Sequence, residues 1–155
     1  MHSLRLGFTV DTSINDVPEV EIDLNGTVLL TKRLVGAGRI DDLNADQHFI
    51  EFKNLTKIEK GYNVLKVKEC NITKDKQKTG PFAFQVRTIE VNGCDLNYFG
   101  VESTVYNPDL GLLTGPYKNY VNEPGGYYSI AWDSPLYKTL YNLRFGRATK
   151  DSVQY

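Results

Sequence analysis

Cysteine is scarce in this chain. Cys70 and Cys94 are the only two in 155 residues, too few for a disulfide scaffold, and free thiols are the default expectation. Histidine is equally scarce, with His2 and His48 alone, which removes nearly every histidine-based nucleophile–base pair and every Cys/His zinc spacing. The sequence contains no Gly-x-Ser-x-Gly elbow and no Gly-x-x-x-x-Gly-Lys phosphate loop. No apolar run reaches the roughly 18 residues that a membrane-spanning helix needs. The start, Met1-His2-Ser3-Leu4-Arg5, has no hydrophobic signal-peptide core, so synthesis in the cytoplasm is expected. A net charge of -1 gives no general attraction to nucleic acid or to an anionic membrane. Neither is an expected partner, and no reaction is legible.

What the chain has in quantity is period-two alternation, the mark of a strand with one buried and one wet face. Residues 61–96 carry the clearest case. Leu65 and Val67 alternate with Lys66 and Lys68, a polar insert covers residues 71–80, and the pattern resumes from Phe82 to Val91 before Asn92-Gly93. The two strands form either a hairpin or a pair across a sandwich. Earlier, Leu4, Leu6, Phe8 and Val10 alternate with Arg5, Gly7 and Thr9. Glu19-Val20-Glu21-Ile22-Asp23-Leu24 meets Asn25-Gly26 and then an apolar strand, which predicts a hairpin because both turn residues tolerate positive φ. Residues 47–54 form a strand of imperfect parity around Phe49 and Phe52. Residues 106–126, rich in proline and glycine, are expected to be one long ordered loop. Residues 127–132 make a late strand. Ser134-Pro135 then predicts a cap and first turn for a short helix carrying Leu136, Leu140 and Leu143, with Gly146 closing it.

About eight strands with turn signals between them predict an all-β fold: a single-domain antiparallel β-sandwich of jelly-roll type with one short C-terminal helix. The sandwich domain is expected over residues 1–149, with a polar tail at 150–155. Its expected core is Leu6, Phe8, Val20, Ile22, Leu24, Leu65, Val67, Ile89 and Val91. Trp132 shares its face with Tyr128 and Ile130, so it is expected inside as well.

Candidate chemistry is thin. Glu19, Glu21 and Asp23 share one face and read as a solvated row rather than a catalytic carboxylate pair. Asp41, Asp42 and Asp46, and less so Asp11 with Asp16, are the acids that could hold calcium, but they lack an Asp-x-Asp-x-Asp-Gly spacing. The expectation is no cofactor, with calcium the one candidate. His48 reads as a surface strand histidine. Lys74 to Lys78 reads as a solvated loop tip. The outstanding feature is tyrosine: eight of the ten lie between Tyr98 and Tyr141. Tyr117, Tyr120 and Tyr127 are the expected exposed recognition residues, because tyrosine offers a large apolar face with a polar tip.

Leu24-Asn25-Gly26, Gly61-Tyr62-Asn63-Val64-Leu65-Lys66-Val67 and Ile89-Glu90-Val91-Asn92-Gly93 together resemble the jelly-roll plan of carbohydrate-binding modules. With Ser134-Pro135-Leu136-Tyr137 leading into a Leu-rich helix, they also resemble small virion β-sandwich proteins of tailed bacteriophages, particularly marine and cyanobacterial ones. The resemblance covers residues 19–145. It implies a non-enzymatic structural or adhesive protein of the virion: capsid decoration, neck or tail, contacting other virion proteins or itself as a homo-oligomer. The alternative it implies is a free-standing carbohydrate-binding module, with cell-surface carbohydrate as the partner. It carries no catalytic residue onto this sequence.

Overall fold

The computed structural model describes residues 2–10, 18–34, 46–56, 58, 60–71, 84–113 and 119–146. The strands are β1 (His2–Val10), β2 (Glu19–Leu24), β3 (Thr27–Arg33), β4 (His48–Leu55), β5 (Gly61–Glu69), β6 (Phe84–Val91), β7 (Cys94–Asp95), β8 (Ser103–Asn107), β9 (Gly111–Leu113), β10 (Tyr120–Val121) and β11 (Tyr127–Ser134). Helix α1 (Leu136–Tyr141) and a π-helical turn (Asn142–Gly146) follow. One sheet runs β10-β6-β1-β4, with β7 added beside β6; the other runs β3-β2-β5-β11-β8-β9. All pairings among the described residues are antiparallel. A single buried cluster draws on both sheets, so the fold is the antiparallel β-sandwich that the alternation predicts.

All nine expected core residues are buried, and Tyr128, Ile130 and Trp132 join them. Phe8 and Phe84 meet edge to face at 6.1 Å across the β1–β6 pair. The strands on either side of the 71–80 insert form no hairpin: β5 belongs to the six-stranded sheet and β6 to the five-stranded one. Both Asn-Gly turns form, with Asn25 at φ 55° and Gly26 at 84°, and Asn92 at 52° and Gly93 at 82°. The irregular parity of β4 has a physical cause. It is an edge strand on which Ile50 faces the core. Phe49 lies outside, under the Arg5 guanidinium at 3.7 Å. Arg5 also pairs with Glu51 at 3.1 Å and Glu90 at 3.4 Å.

Two expectations need correction. Residues 106–126 are not one long loop, since β8 runs to Asn107 and β9 and β10 lie within the stretch. Ser134 does not cap the helix. It is the last residue of β11, paired with Gly61, and the residue at the cap position is Pro135, with no side-chain cap. The insert at 72–80, the acids Asp11, Asp16, Asp41 and Asp42, and the tail at 150–155 lie outside the described residues.

Val67 sits at the centre of the six-stranded sheet, paired with Ile22 on one side and Tyr128 on the other. Val67→Asp places an unpaired carboxylate in that core and is expected to cost about 3–5 kcal/mol in urea unfolding. A variant as stable as the parent would mean that β5 is out of register by one residue.

Candidate functional site

The outward face of the six-stranded sheet is built by register. Glu21 of β2 stands opposite Lys68 of β5, Lys68 opposite Tyr127 of β11, Tyr127 opposite Tyr106 of β8, and Tyr106 opposite Leu112 of β9. The next row places Asp23 opposite Lys66 and Lys66 opposite Ser129. Directly opposed residues share a face and touch. Tyr106 and Tyr127 accordingly stack, with centroids 5.1 Å apart and planes 23° off parallel. Tyr106 covers the β8 side of Tyr127. The other face of Tyr127 looks across β5, where the Lys66 ammonium lies 5.1 Å from the ring centroid.

That ring face is one wall of a groove of about 500 Å³. Its floor is Val64, Lys66 and Lys68, and its far wall is Glu21, Asp23 and the Asn25-Gly26 turn. The turn is stiff. Asp23 Oδ1 accepts the Gly26 N–H at 2.9 Å. Asn25 Oδ1 accepts the Val64 N–H at 2.8 Å, and its Nδ2 donates to Asn63 Oδ1 at 2.8 Å. The groove therefore offers carboxylate acceptors, ammonium donors and one aromatic face, on a rigid scaffold.

The three expected tyrosines do not form one cluster. Tyr127 is in the groove wall. Tyr120 pairs with Gln85 on the edge of the five-stranded sheet and shares its outward face, on the opposite side of the sandwich. Tyr117 lies outside the described residues. The residue that completes the site is Tyr106, 21 positions upstream of Tyr127 and joined to it only by strand pairing.

Other groups lend themselves less to chemistry. His48 opens edge strand β4; burial, and then the nearby Lys32, hold its imidazole below the usual range. Both cysteines are free. Cys70 donates to the Glu19 carbonyl at 3.3 Å, and burial, followed by Glu19 and Glu69, pushes its thiol up to about 11. A thiol so raised is a poor nucleophile. Asp46 is exposed just before β4. Among the described residues no three metal-ligating side chains converge.

The molecule is thus a two-sheet antiparallel β-sandwich with a groove on the outward face of its six-stranded sheet. No protein-family model and no curated protein matches the sequence. One solved structure does match in fold: the selenomethionine form of vCBM60, described in a study of circular permutation linking two families of calcium-dependent carbohydrate binding modules. The match has a TM-score of 0.55 at 16% identity and covers 83% of this chain and 89% of that one. At that identity it speaks to the fold alone.

The raised Cys70 thiol has a direct readout. In a Cys94→Ala variant, alkylation of Cys70 by iodoacetamide at pH 8 is expected to run about a hundredfold slower than for an unperturbed thiol, since two pKa units remove that share of thiolate. The rate should climb with pH until about 11. A plateau near pH 9 would show that neither burial nor the neighbouring carboxylates raise it.

Proposed function

We propose that this protein is a non-catalytic carbohydrate-binding module whose ligand lies in the groove against Tyr127. The observation that carries the reading is the face of Tyr127 turned to the groove, crossed by the exposed Lys66 ammonium and set beside opposed rows of carboxylates and ammonium groups. A sugar presents an apolar C–H face and a rim of hydroxyls, each both donor and acceptor. The ring suits the first, and Glu21, Asp23 and Lys68 suit the second. The fold shared with a carbohydrate-binding module supports the same reading. Stacking on Tyr127 displaces the Lys66 ammonium, an exposed cation–π contact worth about 0.5–1 kcal/mol, which the sugar face replaces. The contacts proposed for the sugar are those of Tyr127, Glu21, Asp23 and Lys68.

Affinity electrophoresis against a panel of soluble neutral polysaccharides tests the proposal. Tyr127→Ala is expected to weaken retention about tenfold while lowering the melting temperature by only about 2–5 °C, the share of one lost aromatic pair. A chelator should leave retention unchanged. Retention lost on chelation would show that a metal ion takes part in binding, and retention unaltered by Tyr127→Ala would remove the groove from consideration.

A second reading, a structural or adhesive component of a phage virion working through protein contacts, draws on the β8–β9 hairpin. There Leu110 is 73% and Leu112 64% exposed beside Tyr106, an apolar edge of the sort that subunit contacts bury. Self-association through that edge predicts an oligomeric mass by light scattering that falls to the monomer in Leu110→Lys/Leu112→Lys. A parent chain that is already monomeric at high concentration would leave the hairpin no role in self-association.

A further inference from the structure

We infer that the end of the sandwich where the 96–100 turn meets helix α1 is a second carbohydrate subsite, one that takes a single neutral, hexose-sized polyol. It adjoins the groove, since Ala131 of its lining stands opposite Val64 of the groove floor, and it rests on the carbohydrate reading only for the class of its ligand.

The turn is a rigid stand for two exposed rings. Leu96 is fully buried beneath it. Asp95 Oδ1 accepts the N–H groups of Asn97 at 3.0 Å and Tyr98 at 3.4 Å. Asn97 Nδ2 donates to the Arg87 carbonyl at 3.1 Å, and the Val101 N–H donates to the Leu96 carbonyl at 3.0 Å. On this frame Tyr98 is 83% and Phe99 49% exposed, packed edge to face at 5.3 Å. Two large rings held in water by so many hydrogen bonds form a preorganised apolar platform, and stacking on it costs little ordering.

The chain runs from Phe99 straight into the wall of a cavity of about 400 Å³. Gly100, Val101 and Glu102 form that wall, Ala131 and Asp133 of β11 the facing one, and Thr139 and Asn142 the side beneath the helix. The helix is fixed there because the Asp133 N–H donates to Thr139 Oγ1 at 2.6 Å. The volume lies in the range of small-molecule sites. Among the described residues the polar lining consists of two carboxylates, a hydroxyl and an amide, with no lysine or arginine. Such a set accepts hydrogen bonds from hydroxyls, while the two carboxylates repel uronate or sulfated sugars. Val101, Ala131 and the more exposed Leu143 give the cavity an apolar side for the C–H face.

Amide-resolved NMR titration of the full chain with glucose, galactose and glucuronate tests this. The neutral sugars are expected to shift the amides of Gly100, Val101 and Thr139, and glucuronate to shift them at least tenfold less. Tyr98→Ala, at a position too exposed to threaten folding, is expected to raise the Kd about tenfold, and Glu102→Gln to narrow the gap between glucose and glucuronate. Shifts confined to Lys66, Lys68 and Tyr127 would overturn this subsite and leave the groove standing. Equal affinity in parent and Tyr98→Ala would overturn it too, and silence at both places would remove both sites.

Discussion

The outward face of the six-stranded sheet depends on one residue, Asn25. Its backbone N–H donates to the Val64 carbonyl at 2.9 Å, and its side-chain oxygen accepts the Val64 N–H at 2.8 Å. A turn residue thereby continues the β2–β5 ladder one step beyond Leu24, with the left-handed φ that asparagine tolerates. Its amide then reaches fully buried Asn63, which in turn donates to the Gly61 carbonyl. The network sets which residue of β5 faces which residue of β2. Because a one-residue slip exchanges the two faces of a strand, it also decides that Leu65 and Val67 go inside and that Lys66 and Lys68 line the groove.

The far end of β5 is held by a different device. Glu69 is buried with its carboxylate accepting the N–H groups of Asn71 at 2.6 Å and Gly125 at 3.1 Å. Asn71 passes the link to β2, its side-chain oxygen accepting the Glu19 N–H at 2.7 Å. A buried backbone N–H left without a partner costs about 1–3 kcal/mol, so the carboxylate satisfies donors from two loops at once. Gly125 is two residues from Tyr127. The position of the aromatic wall thus follows from a polar contact made on the inner side of the same sheet, and the two ends of β5 together fix both sides of the groove.

These dependencies explain what the sequence revealed. Strands whose inner residues are all aliphatic, such as Val20, Ile22 and Leu24, announce themselves. β8 does not, because its inward residues are Ser103, Val105 and Asn107. Ser103 stands beside the buried Tyr128 hydroxyl, and Asn107 accepts the N–H groups of Asp109 and Leu110 to turn the chain into β9. Polar residues doing inner-face work erase the alternation that a reader looks for, and Pro108 beside them suggests a loop. For the site, Tyr127 was legible because Ile130 and Trp132 mark its parity. The face of Tyr120 was not, since a two-residue strand has no period and its face is set by pairing with Gln85. Tyr106 was missed because nothing local ties it to Tyr127. Ser134 misled because a serine before proline reads as a cap, whereas the β11–β5 ladder runs through it to Gly61.

The charges of this face are arranged to cancel. Glu19 stands opposite Arg33, Glu21 opposite Lys68, and Asp23 opposite Lys66. Exposed charges set opposite one another without closing to an ion pair contribute even less than a surface salt bridge, so a hydroxyl can replace either at small cost. With no net field, selection falls to stacking and to directional hydrogen bonds. Those two resources are unevenly spread along the row that runs from Glu21 through Lys68, Tyr127 and Tyr106 to Leu112. The β2–β5 half supplies donors and acceptors, the groups that the hydroxyl-rich ligand proposed for the groove requires. The β8–β9 half supplies exposed leucine and an aromatic edge, which favour an apolar surface. The stacked tyrosines are the boundary between them. The two readings proposed for this protein, sugar recognition and contact with a protein neighbour, therefore draw on different halves of one sheet face.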